Sequence, residues 1–190
     1  MSLFDPLRHA WPIMQPQPNP EEPDTDDETE KEERAEVDTK MLYKHLEKYF
    51  YQSRSIYLWG IVDDKSAKDV VTKLLLLEAD KPGEEIKFYI SSPGGSVTSG
   101  MVVYDMMKMI KSPVTTICMG LAASMGSILL SAGVKGKRYI FPSGEVMIHQ
   151  PSLGGHIQGV SADMEIHAEQ ILRVKEMGAR ILAENTGQTI

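Results

Sequence analysis

A serine at the point where a predicted strand turns into a predicted helix is the residue of this sequence best suited to nucleophilic chemistry. Ser124 lies between an apolar, β-branched run at 114–119 and an aliphatic run at 128–132, so the pattern predicts a strand, a sharp turn and a helix. At a helix N-terminus the positive end of the helix dipole favours an incipient alkoxide, and the amide of Met125 can donate to a tetrahedral oxyanion. On their own, the small residues at 122–126 are equally typical of close helix packing.

The candidate general base is His149. It follows the apolar residues 146–148 and precedes Gln150 and Pro151, which signal a turn. The other four histidines fall in a tail, on predicted helices or in a glycine-rich loop. A neutral imidazole accepts a proton near neutral pH. A serine and a histidine, each at the end of a predicted strand, are therefore two of the parts that acyl transfer requires, although a structural histidine is the plain alternative.

Two glycine turns could serve such a site. The turn at 92–95 contains Gly94 and Gly95 and could present backbone N–H groups, because glycine permits close approach of the main chain. A second turn contains Leu153, Gly154 and Gly155 and could lie beside an extended peptide. Each turn is equally compatible with an ordinary surface loop.

Composition argues against several other functions. The formal net charge of −7 comes mainly from the acidic residues at 21–38, so the remaining chain has no strong field for nucleic acid or anionic lipid. No window of 18 consecutive apolar residues and no metal or phosphate-binding motif is present, so we expect no membrane span, no metal and no cofactor. The single cysteine, Cys118, cannot form an internal disulfide, which fits a reducing cytoplasm.

Strands and helices alternate from residue 38 onwards. Residues 1–37, rich in proline and acidic side chains, are predicted to be a disordered tail, and 38–190 to be one domain. The alternation predicts an α/β domain with right-handed βαβ units and a mostly parallel sheet. The periodicity predicts strands at about 56–59, 86–90, 114–119, 138–141 and 146–149, and helices at about 38–50, 64–79, 96–111, 124–132 and 161–185.

Several of these segments together resemble the ClpP family, the proteolytic subunits of ATP-dependent Clp serine proteases. The matching stretches are 92–97, 117–126, 147–151 and 186–188, at the family's spacing. The resemblance implies a crotonase-like βαβ core in which the helix 161–185 is a protruding handle. It further implies a set of roles for the residues already discussed: Ser124 is the nucleophile, His149 the general base, Gly95 and Met125 the oxyanion donors, and Leu153, Gly154 and Gly155 the substrate-pairing strand.

The resemblance also implies partners. Members of the family assemble as two stacked heptameric rings, receive unfolded proteins from an AAA+ unfoldase such as ClpX, ClpA or ClpC, and need no cofactor of their own. By resemblance, an apolar surface pocket would receive loops of the unfoldase. Its residues here would be Tyr89, Ile117, Met119, Tyr139 and Phe141.

The third member of the triad is not evident in the sequence. In the family an aspartate lies beyond the Thr-Gly-Gln motif, which is 186–188 here, and the sequence ends at Ile190. We therefore expect this aspartate and the closing elements of the fold to be absent from these residues. The alternatives are a catalytically impaired, structural ClpP-like subunit and an acyl-CoA enzyme of the crotonase type.

Overall fold

The computed structural model describes the backbone of residues 28–152 and 161–190 and the side chains of 39–152 and 164–190. The predicted alternation of helices and strands is confirmed. In chain order the elements are α1 (Glu28–Gln52), β1 (Ser55–Trp59), α2 (Asp64–Asp80), β2 (Ile86–Ser92), α3 (Val97–Met109), β3 (Val114–Ala123), α4 (Met125–Ser131), β4 (Arg138–Ile140), β5 (Glu145–Met147) and α5 (Ser161–Thr186).

The sheet is parallel throughout and is organised around its longest strand, β3. The order is β1-β2-β3-β4, and β5 also pairs with β3. The first half of β3 pairs with β4, as in Thr116↔Arg138. The last residues of β3 pair with β5, as in Ala123↔Met147. The carboxyl ends of β3 and β5 are therefore neighbours, and residues that follow these strands meet at one edge of the sheet.

The core lies between one face of the sheet and the helices. Along β2, Ile86, Phe88 and Ile90 are buried, and the residues between them are half-buried on the opposite face. Leu74 of α2 and Val103 of α3 belong to the same buried cluster. Full burial of each such side chain contributes about 1.5–3 kcal/mol, so this cluster fixes the strands that position the site.

The chain divides into two units, 1–43 and 44–190, and the sheet belongs to the second. Residues 1–27 of the predicted disordered tail lie outside the described part of the chain. At 28–37 the structure describes a helical backbone, the start of α1, and the disordered tail at 1–37 stays a prediction. Glutamate, lysine, arginine and alanine in this stretch favour helix, and acidic residues in the first turn complement the helix dipole. No helix in the described segments is long and apolar enough to cross a membrane.

A charged side chain connects three strands of the sheet and gives a test of the fold. Glu85, just before β2, accepts hydrogen bonds from Thr115 Oγ1 of β3 at 2.6 Å and from Lys137 Nζ, just before β4, at 2.7 Å. The bond from Lys137, followed by that from Thr115, holds the pKa of Glu85 below its ordinary value.

We expect Glu85→Gln to lower the free energy of unfolding by about 0.5–1 kcal/mol at pH 7, because both side chains of the ion pair are partly exposed and screened. Because the pKa of Glu85 is lower in the folded state than in the unfolded state, its ionised form stabilises the fold at pH values above the unfolded-state pKa of about 4.3. This stabilisation is lost as the pH falls below that value. Urea unfolding at pH 7 and pH 3 measures the difference. An equal loss of unfolding free energy at both pH values would contradict the stabilising role of ionised Glu85. Lys137→Gln should remove most of the pH dependence of this free energy.

Candidate active site

Ser124 is held in a strained conformation between β3 and α4. Its φ of 53° and ψ of −120° lie in a region that non-glycine residues rarely adopt. Its N–H donates to Met147 O at 2.9 Å, and its carbonyl accepts from the N–H of Ser127 at 3.0 Å and of Ile128 at 3.3 Å. Such strain persists only where the surroundings enforce it, and it is typical of a nucleophile at a strand-to-helix turn.

Gly94 lies in close contact with Ser124. Gly94 has a φ of +94°, and a Cβ added to it would lie 2.5 Å from Ser124 Cβ and 3.0 Å from Met125 N. Any other residue would therefore displace Ser124. The predicted turn at 92–95 thus approaches Ser124 closely, which is more than an ordinary surface loop requires.

The two candidate oxyanion donors, the N–H groups of Gly95 and Met125, lie close to this contact between Gly94 and Ser124. Among the described residues, neither the Gly95 N–H nor the Met125 N–H has a hydrogen-bond acceptor. Met125 is the first residue of α4, so its N–H has no acceptor within the helix. Two unengaged amides beside one serine are suited to binding a developing negative charge.

His149 lies two residues beyond the end of β5. The sequence predicted a strand at 146–149, but the strand ends at Met147 and its three residues are exposed. Among the described strands, β5 pairs only with β3, so this pairing ends where β3 ends. The Ser124 N–H bond to Met147 O keeps the two chain segments adjacent, and His149 itself is exposed.

Ser124 and His149 line the same groove, whose volume is about 360 Å³. The described residues show no hydrogen bond between the two side chains. Catalytic hydrogen bonds are commonly long in the absence of substrate and tighten when it binds. The structure therefore brings the predicted nucleophile and base to one cavity.

The rest of the groove is mainly apolar, and one wall comes from α5. Sequence reasoning missed the place of this helix in the groove; the recurrence of apolar residues every three or four positions along it is the signal that could have revealed it. The lining includes Lys175, and no carboxylate is found among the described residues that line the groove. The remaining lining residues are Val97, Met101, Met125, Ser127, Ile128, Ile148, Gln150, Pro151, Val174, Met177, Gly178, Ala179, Ile181 and Leu182.

The residues predicted to receive an unfoldase share one region of the sheet. Tyr89, Ile117 and Tyr139 are register partners across β2, β3 and β4, and they occupy the face opposite Phe88. Ile117 is only 4% exposed, so its side chain contributes less surface than the resemblance implies. Met119 and Phe141 follow two positions further along and are half-buried.

Sequence reasoning missed Tyr57 at this surface. Its ring stacks on that of Tyr89, with centroids 4.8 Å apart and planes 8° apart. Burial, followed by the neighbouring Tyr89 and Tyr49, raises the pKa of Tyr57 to about 12. Its alternation with buried Ile56 and Leu58 along β1 could have placed it on this face. The predicted substrate strand, Leu153, Gly154 and Gly155, lies outside the described residues.

The parallel sheet, its covering helices and the turn that holds Ser124 define an α/β protein of the ClpP and crotonase-like type. A protein-family model described as Clp protease matches residues 38–190 of the sequence, and the chain belongs to that family. The resemblance seen in the sequence motifs is thereby confirmed.

Proposed function

We propose that the protein is a serine endopeptidase that hydrolyses unfolded polypeptides to short peptides. The single observation that carries this proposal is the strained Ser124 at the start of α4, which shares a groove with His149. Membership of the Clp protease family supports a peptidase. The proposed compartment is the cytoplasm, in keeping with a chain that contains one cysteine.

In the proposed reaction Ser124 Oγ attacks the scissile carbonyl carbon while His149 takes the hydroxyl proton. The carbonyl oxygen becomes an oxyanion that accepts hydrogen bonds from the N–H groups of Gly95 and Met125. The C–N bond then breaks, and His149 returns the proton to the departing amine. Water deprotonated by His149 releases the acyl group and regenerates the serine.

We further propose that the protein works as two stacked heptameric rings and receives substrates from an AAA+ unfoldase. Large apolar side chains on α5 support the assembly: Met164, Ile166 and Leu172 are each about half exposed or more in the single chain. The face that contains Tyr89 and Tyr139 supports the docking of a partner at the sheet. The unfoldase supplies the ATP-driven step.

Hydrolysis of a short fluorogenic peptide and of a stably folded protein tests this function. The peptide is expected to be cut without ATP, whereas the folded protein is expected to be cut only when an AAA+ unfoldase and ATP are added. Failure to cut either substrate, together with an intact ring assembly, would favour a structural subunit. Binding of a CoA thioester in the same groove would favour an acyl-CoA enzyme.

Leu172→Glu tests the assembly. Leu172 is 63% exposed in the single chain, so the change should leave the subunit folded but bury an unpaired charge at a subunit contact, which costs several kcal/mol. Light scattering is expected to show smaller particles, and circular dichroism an unchanged helix content. Leu172→Ala, which removes contact area without adding charge, should weaken assembly less. A monomeric wild-type protein would contradict the role of α5 as a handle.

A further inference from the structure

A small polar network adjoins the Gly95 amide. Ser96 is the N-cap of α3, and its Oγ accepts from the Ser99 N–H at 3.2 Å. Ser99 Oγ lies 2.9 Å from Ser96 Oγ and 2.6 Å from Oδ1 of Asp64, the first residue of α2. Ser99 is only 3% exposed. The network thus connects the starts of two helices next to the candidate oxyanion donor.

The proton arrangement of this network is fixed by counting donors. The Ser99 hydroxyl has one proton, and at 2.6 Å the Asp64 carboxylate is the stronger acceptor. Ser99 Oγ must therefore accept from the Ser96 hydroxyl. In the resulting series Ser96 Oγ donates to Ser99 Oγ and Ser99 Oγ donates to Asp64, which makes the series directional and locks the Ser96 side chain.

The two peptide groups that flank Gly95 both form hydrogen bonds with the backbone of one residue, Val62. The Val62 N–H donates to Gly94 O at 2.8 Å, and the Ser96 N–H donates to Val62 O at 2.7 Å. In a trans peptide the C=O and N–H point in opposite directions, so the first bond turns the Gly95 N–H away from Val62. Gly95 has a φ of +149°. Because glycine can adopt many other backbone conformations, this one depends on the contacts around it. Ser96 and Val62 therefore determine the direction of this amide.

We propose that Asp64 and Ser99 are positioning residues for the Gly95 oxyanion donor. Asp64 accepts from Ser99, Ser99 accepts from Ser96, and Ser96 fixes one of the two peptide planes that flank Gly95. This inference rests on the proposed peptidase function and adds residues that touch neither the substrate nor Ser124. The capping role of Ser96 alone would require neither Asp64 nor a buried hydroxyl at 99.

Ser99→Ala and Asp64→Ala test the proposal in the full chain. Each is expected to lower kcat on a fluorogenic peptide about tenfold with little change in KM, less than the roughly 10²–10³-fold cost of losing an oxyanion donor. Affinity for a peptide boronic acid should fall by a similar factor. Its boron bonds to Ser124 Oγ, His149 takes the serine proton, and a boron-bound oxygen faces the oxyanion donors.

Asp64→Asn provides the rescue, because its amide oxygen still accepts from Ser99; near wild-type kcat and boronate affinity are expected. Asp69→Ala is the matched control, since Asp69 lies on the same helix and pairs with Lys73 on the surface. Titration of Ser124 with a fluorophosphonate counts reactive sites, so a loss that only reflects misfolded protein is separated from a lower intrinsic rate.

Full kcat and boronate affinity per titrated site in both alanine variants would overturn the positioning role. Equal losses in Asp64→Asn and Asp64→Ala would also overturn it, because a charge effect alone would then suffice. If wild-type Ser124 is not labelled at all, the proposed function fails, and the positioning role fails with it.

Discussion

Ser124→Ala is expected to abolish peptide hydrolysis, with kcat lowered roughly 10⁴–10⁶-fold. The reason is that the bond-forming oxygen is removed while the groove, the oxyanion amides and His149 remain. KM should change little, because the lost interaction exists mainly in the transition state. Steady-state hydrolysis of a fluorogenic peptide, expressed per folded subunit from protein concentration and circular dichroism, measures the effect, and fluorophosphonate labelling should be lost in the variant.

Ser131→Ala is the matched control for this change. Ser131 lies on the same helix, and its hydroxyl donates to Ile128 O and accepts from Asn185. This variant is expected to keep wild-type turnover per folded subunit. Persistent hydrolysis or labelling in Ser124→Ala would identify another nucleophile and remove the assignment.

The second large effect is expected from His149→Ala, which should lower kcat by about 10⁴-fold or more. Without the imidazole, the described residues that line the groove offer no carboxylate and no second histidine to take the serine proton. Steady-state hydrolysis of a fluorogenic peptide at neutral pH, expressed per folded subunit, measures the loss.

His167→Ala supplies the control, because His167 is an exposed histidine on α5 outside the groove. It is expected to retain wild-type turnover. The turnover of the three proteins per folded subunit decides the matter: unchanged turnover in His149→Ala would show that another group takes the serine proton.

Most of the helices and strands were predictable because their hydrophobic periodicity is local. The boundaries that moved are set by contacts distant in sequence. The apolar run of β3 was expected to end near residue 119, and Gly120, with a φ of +73°, looks like a terminator. Pairing of residues 121–123 with β5 extends the strand to Ala123. The strand therefore reaches Ser124, and this extension positions that residue.

The helix cap before α2 shows the same limit on a smaller scale. The helix predicted at about 64–79 starts with two side chains that are typical of an N-cap, Asp64 and Ser66, but the cap is Asp63, which exchanges hydrogen bonds with Ser66 in a capping box. Two adjacent aspartates have equal capping preference. The choice between them depends on the preceding residue, Val62, which is tied to Gly94 across the fold.

The residue types of the site were readable from the sequence, whereas its strain and its support were not. Nothing about a serine in a small-residue run reveals a φ of 53°, which arises from packing against Gly94. Arg54 is a further example, since its buried guanidinium donates to the carbonyls of Leu77, Glu84 and Glu85. Such networks join residues that no local pattern connects.

Trapping the acyl-enzyme tests the central claim most directly. The protein is mixed with an activated ester, quenched in acid at early times, digested and examined by mass spectrometry. We expect the acyl group on the peptide that contains Ser124, present at early times and lost as water releases it. Acylation of a different residue, or hydrolysis of the ester with no acylated peptide at any time, would contradict the assignment of Ser124 as the nucleophile.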